Sequence, residues 1–364
     1  IADWADIPGM PGAVLEELMG LLSRAYGREK DPAVHRMFSL AVEHLLWFLV
    51  ESGASQRACA LFAELQDVVT ELSPPAAWKA QATAELLQRL GAPERLDKVL
   101  AVMFAMDRQA AAGQIHPFLA LLGPSAANHL VERLSQESDR GRRSRILEAL
   151  KACGPIAEAP LLEALKSSEW FVVRNTLIVL SEIAGPERVP DLEPFLAHGD
   201  GRVRLAAVRA LGRIGGRPAE AALAGLLHRP DAELQMEALF MLDELKAKNA
   251  IPALLEFLKA GRGRNRPGQD RAREKALELL GHLGSTALLP DLTHLLARQR
   301  GFFRDTSEPL PIRIGALRAL HALGTPEAQD ALARALGAEP GGPEREALQD
   351  ALTALLAGGK PVAP

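Results

Sequence analysis

The chain is poor in the residues that usually announce chemistry. Its 364 residues include only two cysteines, Cys59 and Cys153, too few and too far apart for a disulfide framework or a zinc cage of ordinary spacing. A reducing cytoplasm is the setting this usage predicts. Aromatics make up 4%, with a single tyrosine. An excess of one charge is missing too: 42 Lys and Arg against 46 Asp and Glu leave a formal charge of −4, which excludes a protein that coats nucleic acid along its whole surface. Any anion site must be local. Even the greasiest run, Leu45 to Val50, stops at Glu51, short of the roughly 18 apolar residues a membrane span needs. The first residue is Ile1, with no signal-peptide pattern, as expected of a chain trimmed at its N-terminus.

Leu, Ala, Arg and Glu dominate instead, all good helix formers, while β-branched residues come mostly singly; the composition predicts an all-α protein. Its length exceeds one ordinary domain and suits either two domains or one repetitive array.

A repeat is visible. Glycines that close helical patterns fall at Gly91, Gly123, Gly154, Gly185 and Gly215, at intervals of 32, 31, 31 and 30. Lys246 takes the next such place, and the later stops are Gly284 and Gly324, at intervals of 38 and 40 that signal insertions. A glycine there suits the left-handed conformation that ends a helix. Each unit reads as a helical hairpin. In its second helix Val203, Ala206, Ala207, Ala210 and Leu211 recur at the spacing of one helical face, as do Ile312, Ala316, Ala319 and Leu320. In the first helix Pro160, Pro190, Pro252 and Pro290 follow the stop by five or six residues and either open or kink it. Such hairpins cannot bury their own stripe, so they must stack into a curved right-handed superhelix.

The segment "GDGRVRLAAVRALGRIGG", Gly199 to Gly216, resembles the HEAT repeat, in a form similar to the bilin-lyase-type repeats of bacteria. The resemblance covers roughly Gly91 to Leu356 and implies a HEAT-like α-solenoid. It carries little about chemistry. Residues 1–90 are expected to form an irregular helical cap or extension, with helices over Leu15–Tyr26, Pro32–Glu51, Gln56–Glu71 and Pro75–Leu90. Residues 91–357 form the repeats, with insertions near 260–270 and 299–310, and 358–364 a frayed tail. A segment such as "WFVVRN", Trp170 to Asn175, resembles one found in bacterial HEAT-repeat proteins of similar layout and implies no activity.

Eleven residues before each stop stand Arg143, Arg174, Arg204, Gln235, Arg273 and Arg313, a row of arginines along the second helices and the concave face. Such a row would repel itself if unpaired, so bonds to acidic or carbonyl groups in the adjoining turn are the favoured role; a mixed role with a ligand stays open, since guanidinium offers five donors. The two insertions emerge on one edge. From Lys259 to Arg304 there are ten Lys or Arg and four Asp or Glu. Arg262, Arg264 and Arg266 among glycines, with Phe302 and Phe303 as apolar anchors, make this edge a candidate for an acidic protein segment or, less favoured, nucleic acid. A solvated loop is the alternative. Trp170 and Phe171 are a candidate hot spot or, more often for such pairs, packing between repeats. Trp47 belongs to the core.

Enzymatic readings fare poorly. None of the nine histidines is followed by glutamate, which excludes the His-Glu pairs that the resemblance to HEAT-repeat iron hydroxylases would require, and no His-Glu-x-x-His, Gly-x-Ser-x-Gly or phosphate-loop motif occurs. No cofactor or metal is expected. The resemblance to HEAT-like alkylpurine DNA glycosylases, whose groove is basic, is weak for a net acidic chain, and a bilin lyase-like subunit is the other alternative. The favoured reading is a non-catalytic scaffold that binds a partner polypeptide, with its oligomeric state unassigned.

Overall fold

The computed structural model describes residues 12–71, 77–260, 267–298 and 307–357. Among them helices are the only regular elements and no strand occurs. The chain divides into two compact units, residues 1–183 and 184–364.

The first unit begins with α1 (Gly12–Arg28), α2 (Pro32–Glu51), α3 (Ser55–Glu71) and α4 (Ala77–Leu90). Helix α2 starts where Asp31 accepts hydrogen bonds from the Ala33 and Val34 amides and Pro32 occupies the first turn, so both entry signals of a helix coincide. It is the one described helix long and apolar enough to cross a membrane, and half of that stretch is buried inside the unit. Val42, Leu45, Leu46, Leu49 and Val50 are almost wholly covered, and Trp47 meets Phe118 edge to face at 6.2 Å. Each such side chain contributes about 1.5–3 kcal/mol of burial. Buried Glu43 on α2 is held by Arg89 (2.6 Å) and by Arg95, whose guanidinium also lies over the Trp47 ring. One carboxylate thus ties α2 to α4 and to the next helix.

Three hairpins complete the unit: α5 (Pro93–Ala105) with α6 (Arg108–Leu121), α7 (Pro124–Gln136) with α8 (Arg140–Cys153), and α9 (Glu158–Ala164) with α10 (Trp170–Ile183). The second helices form one row, α6 on α8 and α8 on α10. The second unit repeats the plan with α11 (Val189–Leu192) and α12 (Gly201–Ile214), α13 (Gly216–Gly225) and α14 (Ala232–Glu244), α15 (Ile251–Ala260) and α16 (Pro267–Leu283), α17 (Leu289–Leu296) and α18 (Leu310–Leu323), and α19 (Pro326–Ala338) and α20 (Pro343–Ala357). Here α12, α14, α16, α18 and α20 pack in sequence, and Val203, Ala207, Ala210 and Leu211 of α12 and Ile312, Ala316, Ala319 and Leu320 of α18 are buried as their spacing predicts.

The stops behave as the period predicts at Gly123, Gly154, Gly215, Gly284 and Gly324, all with φ between 58° and 69°. Lys246, the expected substitute, is the one described non-glycine residue with positive φ, at 50°. Gly185 differs. It follows Ile183 by two residues, has φ −91°, and precedes a 3-10 turn at Pro186–Arg188. The four prolines all resolve to the opening alternative: Pro190, Pro252 and Pro290 are second residues and Pro160 the third of α11, α15, α17 and α9, each after a 3-10 turn.

Two stability predictions follow from these environments. Because a side chain in the left-handed region costs about 1–2 kcal/mol, Lys246→Gly should raise the urea midpoint by the equivalent of about 1 kcal/mol; no gain would contradict the strain. Burial, the larger cause, and neighbouring cations, Lys79 and Arg145, push the His35 and His116 imidazoles below the usual histidine range. A folded-state value lowered in this way adds stability above the unfolded value of about 6.5, which is lost as pH falls through the folded value. The urea midpoint should therefore drop between about pH 7.5 and 5.5, and a flat profile would contradict this.

Candidate functional site

The arginine row turns inward rather than outward. Arg143 donates to the carbonyls of Glu137 (2.9 Å) and Ser138 (2.6 Å), and Arg204 to those of His198 (3.0 Å) and Gly199 (3.2 Å), with Asp231 at 3.5 Å. Gln235 makes the same latch to Leu227 and Arg229, so a neutral amide replaces the guanidinium without loss of the bond. In each case the side chain on the first turn of the second helix satisfies carbonyls left open at the end of the first helix. Arg273 and Arg313 are each 1% exposed. Arg273 bonds Leu258 O and Glu308 (2.6 Å); Arg313 bonds Leu296 O, Glu339 and Glu344. These two are closed to any ligand that stays outside the fold.

Arg174 does not join the row. It is exposed and bonds neighbouring Asn175, because counting back from Gly185 lands one residue off the position that Arg143 and Arg204 hold in their helices. Arg345 is a rung the period does not flag. It donates to Glu339 O, six residues back like Arg143 and Arg204, but the glycine that follows α20 in the sequence, Gly358, stands thirteen residues on rather than eleven. Trp170 and Phe171 open α10, half-buried and edge to face at 6.0 Å. Arg262, Arg264, Arg266, Phe302 and Phe303 lie outside the described residues. Cys59 and Cys153 are free, and burial pushes both thiols up to about 11, which keeps them protonated and unreactive.

A concavity lies elsewhere in the second unit, as a groove of about 560 Å³ across α14, α16 and α18. Met236 and Phe240 of α14 form one wall, and Gly281, Gly315, Ala319 and Ala322 a small-residue floor. The floor is shallow because the two helices nearly touch: a Cβ on Gly281 would stand 3.1 Å from Ala319 Cα, and one on Gly315 2.9 Å from Leu277 Cδ1. Phe240 is 46% exposed although it carries one of the larger apolar side chains. Lys275 lies over its ring at 4.9 Å and bonds Asp243 (2.8 Å) and Glu278 (3.1 Å). Asp243 also bonds His282 at 2.9 Å. Burial works against the Asp243 charge, but the bonds from Lys275 and His282 outweigh it and hold the carboxyl below its usual range. The donor atoms of Asp243, Glu278 and His282 lie within 4.8 Å of one another, close enough for a cation, yet the Lys275 ammonium already serves both carboxylates.

The geometry defines a class: two stacks of antiparallel helical hairpins with side-chain latches across most of their turns, the HEAT-like α-solenoid. Residues 158–231 and 192–266 match the HEAT repeats family model, and residues 312–338 match the PBS lyase HEAT-like repeat. The chain is 32% identical to the phycocyanobilin lyase subunit alpha of Nostoc sp. (strain PCC 7120) over 36% of this chain and 58% of that protein. It is 30% identical to the bilin biosynthesis protein PecE of Mastigocladus laminosus over 37% of this chain and 51% of that one. The chain thus spans a little over half the length of the curated relatives it matches. The crystal structure of Kap121p is similar over 94% of this chain and 42% of Kap121p, with a TM-score of 0.40 and 14% identity.

The latch geometry separates two arginines by energy. Arg313→Met leaves buried Glu339 with Arg298 alone among the described residues, at 3.7 Å, and should cost about 3 kcal/mol in urea unfolding, whereas half-exposed Arg143→Met should cost about 1 kcal/mol, the worth of ordinary hydrogen bonds. Equal losses would show that burial does not set the strength of the latch.

Proposed function

We propose that the chain is a non-catalytic scaffold that binds a partner polypeptide bearing an acidic segment. The observation that supports this reading is the solvent-open groove across three successive second helices, which leaves Phe240 exposed and Met236 half-buried. Partly exposed aromatic and methionine side chains are the types that carry binding energy at protein interfaces. The basic edge around Arg262, Arg264 and Arg266 adds the long-range attraction that speeds encounter and rejects basic partners. The buried members of the arginine row serve the fold, so the partner-binding role passes to side chains outside it.

Affinity capture on the full chain, with mass spectrometry of what is retained, tests this. A polypeptide held at low salt should be lost near 1 M salt, where the Debye length shrinks to about 3 Å, and should also be lost on charge reversal of Arg262, Arg264 and Arg266. Capture that ignores both changes would remove the basic edge from the reading, and absence of any retained polypeptide would remove the reading itself.

A second reading is favoured by one observation, the 32% identity to a protein named as a phycocyanobilin lyase subunit. On it the chain handles a bilin. Mixing the protein with phycocyanobilin should then shift the pigment's absorption spectrum; an unchanged spectrum decides against it.

A further inference from the structure

Successive second helices are stitched by ion pairs. Arg108 reaches Glu148 between α6 and α8 (3.3 Å), and Lys151 reaches Glu182 between α8 and α10 (2.7 Å). In the second unit Arg209 meets Glu237 between α12 and α14, Lys275 meets Asp243 between α14 and α16 (2.8 Å), and Arg313 meets Glu344 between α18 and α20 (3.0 Å). Between α16 and α18 themselves, no such pair occurs among the described residues. That junction is closed by small residues in backbone contact, Gly281 against Ala319. It leaves two exposed guanidinium groups on the groove, Arg271 of α16 and Arg318 of α18, neither with a partner among the described residues.

We infer that the groove across α14, α16 and α18 receives an acidic amphipathic segment of a partner protein, its apolar side seated on Phe240, Met236 and the Gly281–Gly315–Ala319 floor and its carboxylates paired with Arg271 and Arg318. The inference rests on the protein-binding reading and assigns it a surface. Three physical points carry it. Lys275 shares its one charge between Asp243 and Glu278, and the groove's charges balance overall, so what it offers a partner is two exposed guanidinium groups unpaired among the described residues, Arg271 and Arg318, beside the carboxylate of Glu274. Arginine matches a carboxylate bidentately and loses little entropy in doing so, which makes an exposed pair a specific receptor for acidic side chains. The floor lacks side chains beyond Cβ, so an incoming helix can approach the α16 and α18 backbones closely and bury its apolar stripe against them, in the manner of a helix seated in a groove.

The test is a photo-crosslink. Benzoylphenylalanine replaces Ala322 at the groove, and in a separate variant Arg217, an exposed residue of α13 in the other helix layer. Each full-length variant is irradiated in cells that express it, and the adducts are sequenced. The expected result is an Ala322 adduct to a peptide of net negative charge with apolar residues at helical spacing, whose yield falls by at least about tenfold in Arg271→Glu/Arg318→Glu, as for loss of a charge-assisted pair. Phe240→Ala should lower the yield while leaving the circular dichroism spectrum unchanged. An adduct to a basic peptide, to nucleic acid or to lipid overturns the assigned partner chemistry. Adducts at position 217 but not at 322 overturn the groove while sparing the scaffold reading, and adducts at neither position overturn both.

Discussion

A hairpin such as α11 and α12 presents the apolar row Val203, Ala207, Ala210 and Leu211, and nothing within its own few turns can cover it. The neighbouring hairpin does, and passes the same need to the next, so the fold is a chain of pairwise burials in which each helix is stable only because another lies beside it. Every other regularity follows from keeping successive hairpins in one register. The glycine stops set the turn between units, the 3-10 turns and prolines set the entry of the first helix, and the latches set its exit. The ion pairs are a weaker second layer, since exposed pairs contribute about 0–1 kcal/mol.

The latch explains why arginine recurs at one place without forming a repulsive row. Each guanidinium is consumed locally, by two carbonyls in Arg143 and Arg204 or by carbonyl plus carboxylate in Arg273 and Arg313. Where the position is Gln235, the same two-carbonyl bond is made without charge. The chemistry required is a long donor, and charge is incidental to it except where burial brings Glu308 and Glu339 alongside. A periodic basic residue in a repeat protein is therefore evidence about turns before it is evidence about ligands.

Much of this was legible because the period is written in residues whose backbone needs are unusual. Glycine at 154, 215, 284 and 324 marks a cap with positive φ, left-handed helical at Gly324 and extended in ψ at Gly154 and Gly215, and phase alone identified Lys246 as holding positive φ without being glycine. The reading slipped where a glycine serves another purpose: Gly185 is extended and lies one residue beyond the equivalent stop, which moved Arg174 out of the latch. Arg345 escaped because the glycine after α20, Gly358, lies thirteen residues on, two beyond the spacing of the other rungs. The groove was harder still. Its signal was present six residues before each stop, in the column Glu148, Val179, Arg209, Phe240, Glu278 and Arg318, where one large aromatic stands among mostly charged positions. What the column cannot express is that Gly281 and Ala319 draw α16 and α18 together, which decides whether that aromatic is covered or left open.

That close approach links the packing to the surface. At the α6–α8, α8–α10, α12–α14, α14–α16 and α18–α20 junctions a basic and an acidic side chain meet in an ion pair. At α16 and α18 the backbones come too close for intervening side chains, and the charged groups are displaced to the lips. Arg318 stands six residues before its stop, as Glu278 does, but Glu278 is already bonded to Lys275, so the potential pair across the junction is not made. The uncovered floor and the unmatched arginines are thus two results of one substitution of small residues for large, and a surface with both features is complementary to a segment that is apolar on one side and acidic at its edges.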